Sequence, residues 1–387
     1  MTTASVVVIG GGVIGASVAY HLAARGWRDV VILDRGAGPG AGSTGRATGG
    51  FRAQYGTAVN VRLSLLAREK LCRFEAETGV EPGYAPCGYL WIGADERELG
   101  ELRTAQRVQH AEGLREAVEL GLDEVLRCNP ALAADGIAGG VFCPTDGYIR
   151  PLRILEGYLA AGARLGVRVA WGTEVTGFSL REDGAISSVR TSGGPMEVGA
   201  VVNAAGPWAA AVAAWAQVDL PVTPLRRQAA ATAPCDLLPD AMPMTIFAGD
   251  GFQIRRRDDQ ILVLRPSPGI RGRPWDTTVE PQWVTEVAEL TRERVPALAN
   301  TAFDSDSAWG GLYEISPDHH AVLGAAAECE NFYMAAGASG HGAMHAPALG
   351  QLLAEAMTEG ERPALDITPL RLSRFSECRP NPGPSFP

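Results

Sequence analysis

Lysine is almost missing from this chain: Lys70 is the only one among 34 basic side chains, and arginine supplies the rest. Basic charge is also outweighed, and a formal net charge of −10 leaves no broad positive face for a polyphosphate or an anionic lipid surface. Nucleic acid is therefore not an expected partner; a small ligand is. Paired cysteines are lacking too. The seven cysteines, at 72, 87, 128, 143, 235, 329 and 378, are odd in number and include no C-x-x-C. That usage fits reduced cytosolic thiols and gives no metal site. No apolar run is long enough to span a bilayer. The longest, GAVVNAAGPWAAAVAAWAQV, is interrupted by Asn203, Gly206 and Pro207 and is mostly alanine, so it reads as strand, turn and helix. The N-terminus has no basic leader, and its first apolar run ends in three glycines. It reads as a strand and not a signal peptide, with Met1 as the start and the cytoplasm as the compartment.

With 387 residues, 46% of them hydrophobic, the chain can bury two cores. Short β-branched runs alternate with helical periods: SVVVI, then GVIGASVAYHLAARG, then DVVILD, which is the β-α-β pattern of a parallel sheet. The pattern returns after Pro151, where a helix can start and where Ile154, Leu155, Tyr158 and Leu159 fall on one face. Residues 89–146 and 220–320 differ, with prolines, charged runs and a hairpin pattern turning at Arg257 to Gln260. The expected fold is α/β, a Rossmann-like domain from 1–88, 147–219 and 321–365. A discontinuous antiparallel-sheet domain from 89–146 and 220–320 is inserted in it. Residues 366–387 form a tail, whose end, RPNPGPSFP, reads as disordered.

Gly10, Gly12 and Gly15 match G-x-G-x-x-G directly after a strand, with Val13 and Ile14 opening the helix and Asp34 closing the next strand. Gly10 allows the turn, Gly12 lets backbone amides approach a pyrophosphate, and Gly15 lets helix meet strand. Asp34, followed by Arg35, can accept from a ribose hydroxyl. The next segment, RGAGPGAGSTGRATGGFRAQYG, is too long and glycine-rich for a simple connection and suggests a second wrapping loop, hence FAD. No second G-x-G-x-x-G supplies a nicotinamide site. A second glycine-rich loop running into a helix, AAGASGHGAMHAPALGQLLAE, begins at residue 335.

Six motifs together resemble the D-amino-acid oxidase superfamily of FAD enzymes, in its sarcosine oxidase, dimethylglycine dehydrogenase and dye-linked proline dehydrogenase branch. They are VVVIGGGVIGASVAYHLAARG, GSTGRATGGFRAQYG, DGYIRPLRI, VVNAAGPWA, WGGLYEISPDHHAVLG and AAGASGHGAMHAPALGQLLAE. By that resemblance Ser43, Thr44, Arg46, Gly49 and Gly50 line the pyrophosphate and ribityl chain. Val175 presents backbone to the adenine, and Ala205, Gly206 and Trp208 pack beside the cofactor. Gly340, His341, Gly342, Ala343 and Met344 lie at the isoalloxazine ring. The i, i+4 spacing of His341 and His345 lacks the glutamate of H-E-x-x-H and is read as no metal site. Adjacent His319 and His320 are read as surface or boundary positions.

The resemblance implies oxidation of a small secondary amine or N-alkyl amino acid, sarcosine- or proline-like, by hydride transfer to flavin N5 and hydrolysis of the imine. Arg52 stands where that branch grips the substrate carboxylate, and Tyr313 and His341 shape the site. Tyr313 replaces the arginine of glycine and D-amino-acid oxidases. Met344 replaces a second, lysine anchor, and Gly311 stands where sarcosine oxidase bonds its flavin, so noncovalent FAD is expected. Lys70 lies far from the strands that would place an oxygen-activating cation, although Arg255 or Arg265 could substitute. The acceptor is thus oxygen, a partner protein or a quinone. The alternatives are a dehydrogenase subunit, a glycine or D-amino-acid oxidase, a biosynthetic oxidase of a larger amine with Met344 and Phe252 in its pocket, and a noncatalytic flavin scaffold.

Overall fold

Strand Thr2–Ile9 lies at the centre of one sheet, flanked in parallel by Val30–Leu33 and by Gly194–Asn203. The computed structural model describes residues 2–267, 273–358 and 362–383. The sheet runs in the order Val322–Ala325, Phe332–Ala336, Gly194–Asn203, Thr2–Ile9, Val30–Leu33, Arg168–Ala170, with the hairpin Val175–Leu180 and Ile186–Thr191 joined to Gly194–Asn203. Its central residues Val6, Val7 and Val8 are fully buried because both faces are covered. Val6 and Val8 share one core with helices Val13–Ala24, Ala58–Thr78, Pro151–Arg164 and Gly342–Met357, whereas Val7 and Ile9 point into the other, under helix Ala209–Ala214.

A second sheet takes its strands from 89–143 and 223–315, with Thr223–Thr232 paired against the long Phe303–Ile315 at one edge. It is antiparallel except at Met244–Phe247 on Tyr89–Gly93, which pair in parallel. Those two strands are joined by a long excursion of chain and not by a hairpin, which frees them from the antiparallel direction. The hairpin expected at Arg257 to Gln260 is present, with Asp258 at φ +57 in its two-residue turn.

The tail corrects one expectation. Residues 379–383 are not free: Asn381 donates from its backbone N and from Nδ2 to Asp318 Oδ2, at 2.9 and 3.1 Å. Asp318 is in turn clamped by buried Arg374. The remaining residues of that segment, 384–387, lie outside the described ones. Among the described residues no helix is long and apolar enough to cross a membrane.

Candidate active site

The chain turns at Gly10 with φ +106, and a Cβ there would collide with the Ala204 carbonyl. A Cβ on Gly15 would overlap the Gly10 carbonyl oxygen, so only glycine lets helix Val13–Ala24 lie against the strand it follows. Gly12 caps that helix without any side-chain hydrogen bond, and Val13 N donates to Thr44 Oγ1 at 3.1 Å. Asp34 accepts from Gly11 N and Gly36 N, each at 2.6 Å, tying both loops together while its oxygens keep lone pairs for a hydroxyl.

These residues open onto a cavity of about 660 Å3; the residues assigned to FAD, together with Arg52, Tyr313 and His341, line it except Gly15, which packs behind it. The second glycine-rich loop lines the same cavity. Helices Val13–Ala24 and Gly342–Met357 lie close together: a Cβ on Gly342 would touch Ile14, and one on Gly350 would overlap Ser17. Helix Gly342–Met357 also lacks a side-chain cap, so its first amides have no intrahelical or capping partner and point toward the cavity. Gly340, at φ +89, packs so tightly on the Tyr313 ring that no other residue fits.

Arg52 lines this cavity. Its Nη2 is 3.4 Å from His341 Nε2, and its guanidinium lies 4.7 Å from the Tyr55 ring centre and 5.0 Å from that of Trp91. Burial works against its charge, but the hydroxyls of Tyr55 and Tyr89 outweigh that and raise its pKa. Among the described residues it makes no ion pair, and its buried Nε has no partner. Its position is fixed from behind: the amides of Ala53 and Gln54 donate to buried Asp146 at 2.9 and 3.3 Å. Burial and then the nearby Arg52 push the His341 pKa well down, which keeps the ring neutral with Nε2 free to accept. Tyr55 Oη donates to Met344 Sδ at 3.5 Å.

Glu314 follows Tyr313 and also lines the cavity. Burial raises its pKa to about 7, with the amides of Gly337 and Ala338 pulling the other way, and its Oε2 has no partner. A carboxyl whose folded pKa exceeds its unfolded value binds more protons in the native state, so the native state loses stability as pH rises from about 4.5 to 7. Glu314→Gln should therefore gain stability over the parent by roughly 2–4 kcal/mol more at pH 8 than at pH 4.5 in denaturant melts. A difference that stays flat with pH contradicts this.

Several expectations need correction. Of the surface and boundary positions read for His319 and His320, the surface one is corrected: His320 is buried and His319 half-buried. His319 takes φ +61, and both line the cavity, with His320 buried and its Nε2 2.9 Å from Thr57 Oγ1. Arg255 is not at the cavity; it is buried on the Tyr148 ring and donates to Thr48 O at 2.5 Å. Arg265 does line it, 3.8 Å from Asp250. Phe252 is a core residue. Lys70 sits in helix Ala58–Thr78, paired with Glu77 at 3.0 Å. Tyr55, Tyr89, Asp146, Glu314 and Arg227 were not singled out from the sequence. Tyr55, Asp146 and Glu314 lie inside motifs quoted from the sequence, but only their contacts reveal them.

The sequence model of the family described as FAD dependent oxidoreductase matches residues 5–356. The chain belongs to this family. This flavoenzyme is 29% identical to the glycine oxidase of Geobacillus kaustophilus, covering 95% of this chain and 96% of that one. It is 27% identical to 4-methylaminobutanoate oxidase (formaldehyde-forming) of Paenarthrobacter nicotinovorans, covering 96% of this chain and 45% of that protein. The chain thus spans less than half the length of that relative. Among solved structures it is similar to the L-proline dehydrogenase of P. horikoshii, with a TM-score of 0.90, 27% identity and coverage of 98% and 100%.

FAD fits the residues that the flavoenzyme presents. A turn at Gly10 and Gly15 where a Cβ would clash, the Asp34 carboxylate at the end of the next strand and two helix N-termini without side-chain caps on one cavity suit a long cofactor with a pyrophosphate. Trp208, over which the Arg35 guanidinium lies at 3.9 Å, closes one side.

Proposed function

We propose that this flavoenzyme oxidises a small secondary amine that carries a carboxylate, with FAD held noncovalently. One observation carries the reading: Arg52 is a half-buried cation that makes no ion pair among the described residues, presented to the cavity where it meets His341 beside Tyr55 and Tyr89. Bound FAD supplies the two-electron acceptance that turns the amine carbon–nitrogen bond into an imine. Arg52 binds and orients the substrate carboxylate by charge-assisted hydrogen bonds. The neutral ring of His341 and the face of Tyr313 bound the amine, and an apolar wall from Met344 excludes water. That burial lowers the pKa of the bound ammonium and favours the neutral amine, the form that can be oxidised.

Two of the relatives above are named for secondary amines, 4-methylaminobutanoate and L-proline, which supports the choice of amine. The name of the glycine oxidase favours a primary amine as the second reading. Among the described residues no cysteine lines the cavity, and Gly311 faces Arg46 there, which supports noncovalent FAD. Acid precipitation should release all the flavin to the supernatant; yellow pellet protein contradicts it. With Lys70 remote, an acceptor other than oxygen is favoured. The test is turnover of sarcosine, N-ethylglycine and L-proline beside glycine and D-alanine, with an artificial dye or oxygen as acceptor. Faster turnover of the secondary amines is expected, and turnover confined to glycine or D-alanine overturns it.

A further inference from the structure

A second arginine lines the same cavity. In the pairing of Thr223–Thr232 with Phe303–Ile315, Arg227 is opposite Gly311 and two residues from Leu225, which is opposite Tyr313. Directly opposed residues of an antiparallel pair share a face, so Arg227, Gly311 and Tyr313 project together. The Arg227 guanidinium lies 5.7 Å from the Tyr313 ring centre, and Arg227, Gly311 and Tyr313 all line the cavity. Tyr313 packs against Gly340, and the next residue, His341, reaches Arg52. The two arginines thus stand on either side of one short chain of contacts.

Among the described residues Arg227 has no counter-charge. Its Nη1 donates to Ser267 O at 2.9 Å and to Arg226 O at 3.5 Å, and among the described residues it makes no ion pair and no other hydrogen bond. Other arginines on the cavity wall are engaged or exposed: Arg35 lies on Trp208 and near Glu174, Arg265 is near Asp250, and Arg46 is exposed and donates to Gly310 O. Interior charges are ordinarily paired, because desolvation is costly. Burial indeed lowers the Arg227 pKa. A half-buried cation at a cavity wall, bonded only to carbonyls and with no acidic partner among the described residues, is set to receive an anion from the ligand.

We infer that Arg227 is a second anion anchor, so that the cavity takes an amine bearing two carboxylates, one held by Arg52 and the other by Arg227. The class of substrate is then an N-carboxyalkyl amino acid, with the oxidisable nitrogen between two acids. The inference deepens the proposed amine oxidation and rests on its assignment of Arg52.

The test uses the FAD-loaded enzyme and its Arg227→Gln, Arg227→Lys and Arg52→Gln variants, each checked for full flavin content. Binding of non-oxidisable acetate, succinate and glutarate is read from the flavin absorbance shift. Anaerobic bleaching is read for sarcosine, for iminodiacetate, which is sarcosine with a second carboxylate on its N-methyl carbon, and for its one-carbon-longer homologue. At least one dicarboxylate and its amine counterpart should bind about tenfold or more tighter than acetate and sarcosine. Arg227→Gln should erase that preference without weakening acetate, Arg227→Lys should restore part of it, and Arg52→Gln should weaken both classes. Equal affinity for one and two carboxylates, or a preference that survives Arg227→Gln, overturns the inference. Bleaching by secondary amines without a dicarboxylate preference leaves amine oxidation standing and removes the second anchor. An Arg227-dependent dicarboxylate preference without bleaching by any secondary amine does the reverse.

Discussion

Arg52→Gln lowers kcat/KM for a carboxylate-bearing secondary amine by roughly 10- to 150-fold, the loss of a charge-assisted pair of about 1.5–3 kcal/mol. The loss should appear chiefly in KM and in the Kd of inert carboxylates, because the pair forms with the ground-state substrate as much as with the transition state. Glutamine keeps a donor toward His341 and a polar head beside the rings of Tyr55 and Trp91, so the pocket should survive. Flavin content and thermal stability close to the parent's confirm that. The control is a neutral amine without a carboxylate, whose poor turnover should be unchanged. Steady-state kinetics on both substrates check the prediction. An equal loss for the two would mean that Arg52 shapes the site without gripping an acid.

Gly10→Ala is expected to give protein that purifies colourless or does not fold. Gly10 adopts φ +106, and its missing Cβ is the space taken by the Ala204 carbonyl. Forcing an L side chain into that conformation costs about 1–3 kcal/mol before any clash is counted, and the loop must also move away from the line along which amides meet a pyrophosphate. The visible absorbance per milligram measures the effect. Gly100→Ala, in helix Glu96–Ala111 where a Cβ would meet nothing within 4 Å, is the matched control and should stay yellow. A fully flavinated Gly10→Ala enzyme would mean that the first loop does not govern cofactor binding.

What could be read from the sequence was what local spacing encodes. The strand, turn and helix around Gly10 to Gly15 are one continuous stretch, and Asp34 follows at the distance that one helix and one strand impose. The same holds for Pro151 at the first turn of Pro151–Arg164 and for the two-residue hairpin turn at Asp258. Residues whose position depends on distant chain were not legible. Asp146 is 93 residues from the Ala53 amide that it anchors. Arg227 acquires its place only through the register of Thr223–Thr232 on Phe303–Ile315, and a one-residue slip would turn it to the other face. His319 and His320 misled for the opposite reason: adjacent residues point apart in an extended chain, but His319 leaves that conformation at φ +61.

Glu314 illustrates a third kind of silence. An alternating strand gives no reason to bury an acid, and its charge looks like ordinary solvent exposure in the sequence. Only the amides of Gly337 and Ala338, brought in by the loop before helix Gly342–Met357, make its place tolerable.

The most direct measurement is an anaerobic titration of the purified yellow protein with a secondary amine bearing a carboxylate, following the visible flavin band, beside the same titration of Arg52→Gln at equal flavin content. Full bleaching of the parent at one equivalent of amine oxidised per flavin, with the Arg52→Gln curve displaced to at least about tenfold higher amine, is the expected result. A parent flavin that no secondary amine bleaches, or identical curves for the two proteins, would contradict the assignment of this cavity to amine oxidation guided by Arg52.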